Sequence, residues 1–339
     1  MRGRLAQRPR RPVGGGRHVS EWFAGIDLGG TSIGGLAATR DGRMLAEETV
    51  PTQSHEGPKA VLQRIGDLIE RLSGRCGSTP KSIGVGVPGL VDLASGATKF
   101  LPNLPTQWRD VPVREVLSRR FCVPIGVLND CRTATLGELA FGHGRTVRTF
   151  SMFAVGTGVG GGVVVEGRLR LGPLGAAGEL GHQTIIPGGS LCGCGNRGCL
   201  EALASGPAIT AEGVRLLLSG QAPGLRALVD GDVNRISPQT IADAAAAGDA
   251  GSRSIVERTA EYLSVAAANV VTALHPEMIV IAGGVAEMGE LLLEPVRRGI
   301  RERVRMFPAD DVRVEKSQLG DDAGVRGAVA LAVQELESR

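Results

Sequence analysis

The sequence predicts an α/β protein of two lobes, and three observations carry that expectation. The chain has 339 residues, more than a single core comfortably serves, so about two lobes are expected. An apolar strand, a Gly/Thr loop, a second strand and a turn occur twice, first from Phe23 and again from Ser151, with 11 residues between loop threonine and turn glycine in the first copy and 10 in the second. The stretch beyond is mostly helical in period, broken by one further strand. Two related halves facing one cleft is the natural reading.

The elements follow in order. Phe23 to Leu28 reads as a buried strand, Gly29-Gly30-Thr31 interrupts it, and Ile33 to Thr39 reads as a second strand. Asp41-Gly42 signals a hairpin turn into Met44 to Val50. Val61, Leu62, Ile65, Leu68, Ile69 and Leu72 recur at spacings of three and four, which predicts an amphipathic helix over about 58–72. Ile83 to Val87 is a strand ending at Pro88-Gly89; a helix near Val113 to Phe121, a strand at Ile125 to Leu128 and a helix near Thr133 to Phe141 come next. Ser151 to Val155 opens the second copy, running into the glycine-rich stretch Gly156 to Gly162 and a turn at Glu166-Gly167-Arg168. Helices are expected at Ile209 to Leu218, Ile241 to Ala247 and Ser254 to Leu274, then a strand at Met278 to Ile281 before Gly283-Gly284, and a last helix over Ala323 to Leu336.

Composition narrows the classes. The formal charge is +3, but the first twenty residues hold six arginines and no acid, so the remainder carries 32 basic against 35 acidic side chains. The basic excess lies in a Pro/Gly-rich arm rather than on a folded face, which argues against a nucleic-acid binder. That arm offers no apolar face to bury and is expected to be disordered. No apolar run follows its arginines, so the arm does not read as a secretory signal, and no uncharged apolar stretch of about 18 residues occurs. A cytoplasmic protein with no membrane partner is expected. Of six cysteines, Cys192, Cys194 and Cys199 crowd together while Cys76, Cys122 and Cys131 are scattered, a distribution that suits metal binding better than disulfides.

Three glycine-rich turns follow strands: Asp27-Leu28-Gly29-Gly30-Thr31, Gly156 to Gly162, and Ala282-Gly283-Gly284-Val285. Such turns offer backbone N–H groups to phosphate oxygens with no side chain in the way. One alone would read as a bulge; three, two of them in echoing hairpins, favour a nucleotide. A P-loop is excluded, because none of the four lysines follows a glycine, and the adjacency of Gly29 and Gly30 fails the Rossmann spacing. Asp27 and Asp130 each end a buried strand, where an unpaired carboxylate is costly. Two readings stay open for both: a helix N-cap, or chemistry, with Asp27 positioning metal-bound water and Asp130 acting as a base. His182 with Cys192, Cys194 and Cys199 supplies one imidazole and three thiolates, a closed tetrahedral set for structural zinc. Glu179 and Glu201 flank that set.

These motifs together resemble the ROK family of bacterial sugar kinases and sugar-sensing repressors: DLGGT at 27–31, GVPGLVD at 86–92, LPNLPTQW at 101–108, NDCRTATLGE at 129–138, GTGVGGG at 156–162, GELGH at 178–182, CGCGNRGCLE at 192–201 and IAGGV at 281–285. The resemblance covers nearly everything from Phe23 onward. It implies a two-lobed, actin-like (ribonuclease H-like) ATPase fold. After an arm at 1–22, a smaller lobe at 23–128 is completed by the last helix at about 323–339, and a larger lobe at 129–322 carries the zinc loop at 182–201. It implies that Asp130 takes the proton from a sugar 6-hydroxyl and that Asn103, Asn129, Glu179, His182 and Glu201 grip the ring hydroxyls. Gly29, Gly30, Thr31, Gly156, Thr157 and Gly158 would hold the phosphates of ATP, Gly283 and Gly284 would lie by the adenosine, and Asp27 would orient hydrated Mg2+.

Glucose is the expected substrate, with N-acetylglucosamine, N-acetylmannosamine, fructose or an amino sugar as alternatives, and a homodimer is the expected assembly. About 22 residues precede the first strand, fewer than a helix-turn-helix module needs, so a kinase is expected over a repressor.

Overall fold

In a computed structural model of the chain, residues 21–100 and 108–338 are described. Most of the arginine-rich arm and Asn103 lie outside them. The first half builds from β1 (Phe23–Leu28), β2 (Ser32–Ala38), β3 (Met44–Pro51), α1 (Pro58–Cys76), β4 (Ile83–Val87), a small hairpin of β5 (Leu90–Asp92) and β6 (Ala97–Phe100), α2 (Val113–Phe121) and β7 (Ile125–Asn129). Five of these strands form one sheet in the order β3-β2-β1-β4-β7. β1 and β2 are antiparallel, while β1, β4 and β7 run parallel. The apolar stripe of α1 (Val61, Leu62, Ile65, Leu68, Ile69, Leu72) packs on one face of this sheet with α2.

The second half starts with α3 (Asp130–Phe141), then β8 (Phe150–Val155), β9 (Val159–Val165) and β10 (Arg168–Arg170). Seven further helices and two strands follow: α4 (Leu200–Ala204), α5 (Gly206–Leu218), α6 (Pro223–Leu228), α7 (Pro238–Ala246), α8 (Ala250–Leu274), β11 (Met278–Ala282), α9 (Glu290–Arg303), β12 (Arg313–Lys316) and α10 (Ala323–Glu337). Its sheet has the order β10-β9-β8-β11-β12, with two antiparallel pairings, β10–β9 and β9–β8, and then parallel strands. Position for position this repeats the first sheet, so the echo in the sequence is an echo in topology. Helices α4 to α9 bury the larger core on one face, and α3 contributes to the small core on the other.

Three departures from the sequence reading have physical causes. The helix expected near Thr133 begins at Asp130, because the Asn129 side chain caps it by accepting the Arg132 N–H. Helix α9 was not anticipated; Pro295 inside it looks like a stop signal. Strands β10 and β12 are short, charged edges with no apolar alternation to betray them.

Two helices join the halves. α10 lies across β1 and β4, and α3 packs on β9 and on α10. The α3–α10 crossing is close because Gly137 faces the Ala323 carbonyl and Gly327 faces the Thr133 carbonyl, with no room for a Cβ at either. The buried Glu138 pins the same joint, accepting the Leu319 N–H at 3.0 Å and the Ser317 hydroxyl.

In an open helix, glycine to alanine would add about 1 kcal/mol of stability. At Gly327 the new methyl would overlap the Thr133 carbonyl oxygen. Gly327→Ala is therefore expected to lower stability by about 1–3 kcal/mol in denaturant titration. A stabilised variant would show that the two helices do not meet there.

Candidate active site

The site lies where strand ends, the start of α3 and the cysteine loop converge. Asp27 sits near the end of β1, with Gly86 of β4 and Gly324 of α10 against its carboxylate. No hydrogen-bond donor meets that carboxylate among the described residues. Burial, and secondly the neighbouring Asp130 charge, push its pKa up to about 6. Leaving so poor a place for an anion makes sense where a cation comes to it.

Asp130 is the first residue of α3 and not its cap. Its Oδ1 accepts from the Cys131 N–H at 2.8 Å and from Asn129 Nδ2 at 2.9 Å. It is partly exposed, yet burial holds its carboxyl above the usual range against the pull of the Cys131 N–H. Asn129 uses its whole amide: Nδ2 also donates to the Gly89 carbonyl, and Oδ1 accepts from Arg132 N and Nη1. A ring hydroxyl would have to share or displace one of those bonds.

Glu179 precedes a short turn at Leu180–His182 that carries His182. Its Oε1 accepts from Arg132 Nη2 at 2.8 Å, and its Oε2 lies 3.9 Å from His182 Nε2. The other imidazole nitrogen, Nδ1, lies 3.6 Å from Cys192 Sγ, and Cys194 Sγ lies 3.7 Å from Cys199 Sγ. All four ligand atoms fall within 4.8 Å of one another. A tetrahedron with metal–sulfur bonds near 2.3 Å has edges of about 3.8 Å, so the group fits one tetrahedral ion. Burial pushes the Cys192 thiol up to about 12 and Cys199 upward, while the Asn196 N–H pulls Cys194 down.

Glu201, in the first turn of α4, bridges this cluster to the second glycine loop. Its Oε2 accepts the Val159 N–H at 2.9 Å, and Cys192 Sγ lies 3.7 Å from its Oε1. The loop is a tight turn, with Gly156 N–H donating to the Gly158 carbonyl at 2.9 Å, and Gly206 N–H at the start of α5 donating to Gly156. A cavity of about 200 Å³ opens between Thr157, Gly158, Cys192, Glu201 and Ser205. Gly283, with φ of 82°, turns the chain beside the end of β8, where a Cβ would strike the Val155 backbone. The first loop is braced by Thr52, whose hydroxyl donates to the Gly29 carbonyl at 2.8 Å. Thr31, Thr157 and Gly284 are exposed.

Asp27, Asn129, Asp130, Glu179, His182, Glu201 and the three clustered cysteines thus gather in one region. Gly283 and Gly284 lie at the end of β11, next to β8. Arg132 escaped the sequence reading. Its only signal is an arginine in the first turn of a helix that starts from a buried strand.

The profile of the ROK family matches residues 23–335. A glucokinase from Halalkalibacterium halodurans is 35% identical over 94% of this chain and 96% of its own length. A xylose repressor from Caldicellulosiruptor bescii is 33% identical over 93% of this chain and 78% of its own. The crystal structure of a ROK family glucokinase from Streptomyces griseus in complex with glucose and AMPPNP superposes with a TM-score of 0.79 at 32% identity, covering 92% of this chain and 99% of that one.

The strain at Asp27 has a sign that can be checked. Between about pH 4 and about pH 6 the native chain keeps a proton that the unfolded chain has released, so stability falls as pH rises through that window. Above it the full cost, up to about 3 kcal/mol, is present. Asp27→Asn is expected to stabilise the metal-free protein at pH 7.5 toward urea and to flatten its pH dependence below pH 6. Equal stability of the two proteins at pH 7.5 would show that the carboxylate bears no such penalty.

Proposed function

The chain belongs to the ROK family, and from that premise we propose that it is an ATP-dependent sugar kinase whose acceptor is the 6-hydroxyl of glucose and whose general base is Asp130. The observation that carries this reading is the position of Asp130. It stands at the N-terminus of α3 between Asp27, at the first glycine loop, and Glu179, with both of which its charge interacts. A phosphoryl acceptor needs such a carboxylate within hydrogen-bond reach. Asn129 and the Cys131 N–H hold one oxygen of Asp130, and the carboxylate takes the proton of the 6-hydroxyl as the sugar oxygen attacks the γ-phosphorus of ATP and the bond to the β,γ-bridging oxygen breaks, with ADP leaving.

On this reading the sugar lies against Glu179, His182 and Glu201, with Asn103 and Asn129 completing the ring contacts. A hydroxyl oxygen about 2.8 Å from both Glu179 Oε2 and His182 Nε2 would subtend about 90° between them, so one hydroxyl can donate to the first and accept from the second. That arrangement needs Nε2 protonated, which follows if Nδ1 is a metal ligand. We assign His182, Cys192, Cys194 and Cys199 to structural zinc, which closes the 182–201 loop and fixes the imidazole that faces the sugar. The exposed Thr31 and Thr157, with Gly29, Gly30, Gly156 and Gly158, are assigned to the phosphates, and Gly283 and Gly284 to the adenosine side. Mg2+, held through water by Asp27, would neutralise charge on the transferring phosphoryl group.

The finer fold description goes with this assignment: an actin-like pair of lobes, 23–128 with the last helix at about 323–339, and 129–322 with the zinc loop. The matching strand orders of the two sheets and the packing of α10 on β1 and β4 support it. A homodimer working in the cytoplasm is part of the same proposal. No helix among the described residues is long and apolar enough to cross a membrane.

Two measurements bear on this reading. The purified protein should retain about one zinc per chain after dialysis, and stripping it should weaken sugar binding more than nucleotide binding; a Cys192–Cys199 disulfide in the native protein, or no zinc, removes the assignment. With glucose, ATP and Mg2+, Asp130→Asn should lower turnover by roughly 10²-fold or more while sugar affinity changes far less. Because the Asp130 pKa is raised and the ionised form is the base, wild-type kcat/KM should decline on the acid side from above the ordinary carboxylate range. A panel of N-acetylglucosamine, N-acetylmannosamine, fructose and amino sugars ranks the substrates. Sugar binding without transfer to any of them would favour a sugar-responsive regulator.

A further inference from the structure

We propose that Arg132 is the positioning residue of the sugar site, setting through one guanidinium both the carboxylate that grips the sugar and the amide that aims the base. The inference rests on the sugar-kinase reading. Arg132 is among the largest fully buried side chains, at 1% exposure. A buried guanidinium is costly unless nearly every N–H is matched. Here Nε donates to the Ala177 carbonyl at 3.0 Å, Nη2 to the Ala176 carbonyl at 3.1 Å and to Glu179 Oε1 at 2.8 Å, and Nη1 to Asn129 Oδ1 at 3.1 Å.

Each bond has a consequence at the site. The two carbonyl bonds fasten the segment that leads into Glu179. The bond to Oε1 turns the carboxylate so that Oε2 faces His182 Nε2. The bond to Asn129 Oδ1 orients that amide, so its Nδ2 points to Asp130 Oδ1 and to Gly89. Sugar grip and base are therefore held in register by one planar group. Lysine carries the same charge as a single flexible point and cannot make the fork.

The test compares Arg132→Lys with wild type in the Glu179 and the Glu179→Gln backgrounds. Glucose binding is read by calorimetry, and KM for glucose and ATP by kinetics. With Glu179 present, Arg132→Lys should weaken glucose binding at least tenfold and leave the KM for ATP within twofold. In the Glu179→Gln background the same change should cost less than threefold, because the group it orients is already altered. An equal loss in both backgrounds, a parallel rise in the KM for ATP, or no loss at all would overturn the proposal.

If Arg132→Lys does not fold, the wild-type protein crystallised with glucose decides. The Arg132–Glu179 Oε1 bond should persist, with a sugar hydroxyl on Oε2; a Glu179 that leaves Arg132 to meet the sugar overturns the role. Wild type that binds glucose but transfers no phosphate sinks the kinase reading while calorimetry still tests Arg132. Wild type that binds no hexose overturns both.

Discussion

Helices α3 and α10 approach so closely at Gly137 and Gly327 that backbone packs on backbone, and the location of the acidic site follows from that crossing. α10 is fastened to β1 and β4 of the first sheet, and α3 to β9 of the second. The N-terminal turn of α3 is thereby held between the two sheets. Asp130 opens that turn, Asp27 lies against Gly324 at the start of α10, and Cys131 packs against Gly160 of β9. A side chain at either glycine would part the helices and move the site's two walls relative to each other.

The site is built against its own electrostatics. Asp27, Asp130, Glu179 and Glu201 bring four carboxylates into one region, and Arg132 is the cation buried among them. Among the described residues Asp27 has no donor, and its neighbour's charge adds to the cost of burial. The chain tolerates this because its two larger apolar cores, one against each sheet, carry the stability. Local rules are broken where a bound cation would repair them. The cysteine loop has little burial to shape it: the segment from Thr184 to Arg197 is largely exposed, and backbone bonds such as Cys192 N–H to the Asn196 carbonyl and Gly198 N–H to the Ser190 carbonyl, each 2.8 Å, fold the turn that gathers the four ligand atoms.

Much of this was legible beforehand. Buried strands announce themselves as apolar runs, so β1, β4, β7, β8 and β11 were placed to within a residue or so, and α1, α2, α8 and α10 by their period. The two echoing hairpins foretold two sheets of one topology. Short elements with little apolar pattern stayed hidden, namely the β5–β6 hairpin, the charged edges β10 and β12 and the short helices α4 and α6, while α9, whose Leu292, Val296 and Ile300 do repeat every four residues, is masked by Pro295. The start of α3 was misplaced by one turn, because capping by Asn129 is indistinguishable in sequence from capping by Asp130.

Sequence alone determined the chemistry on offer: an acid ending each of two buried strands, glycine loops at three strand ends, and one imidazole with three thiols at metal-ligand spacing. These are local features, written in residue type and separation. What only the tertiary structure decided is how those groups are spent on one another. Asn129 proves to have a full set of partners, Glu201 bridges the cysteine loop to the second glycine loop, and Arg132 joins residues 129, 176, 177 and 179. Apart from the Asn129–Arg132 bonds, which are local to the start of α3, these bonds run between segments whose spacing in the chain carries no period, so they exist only once the fold has brought those segments into reach.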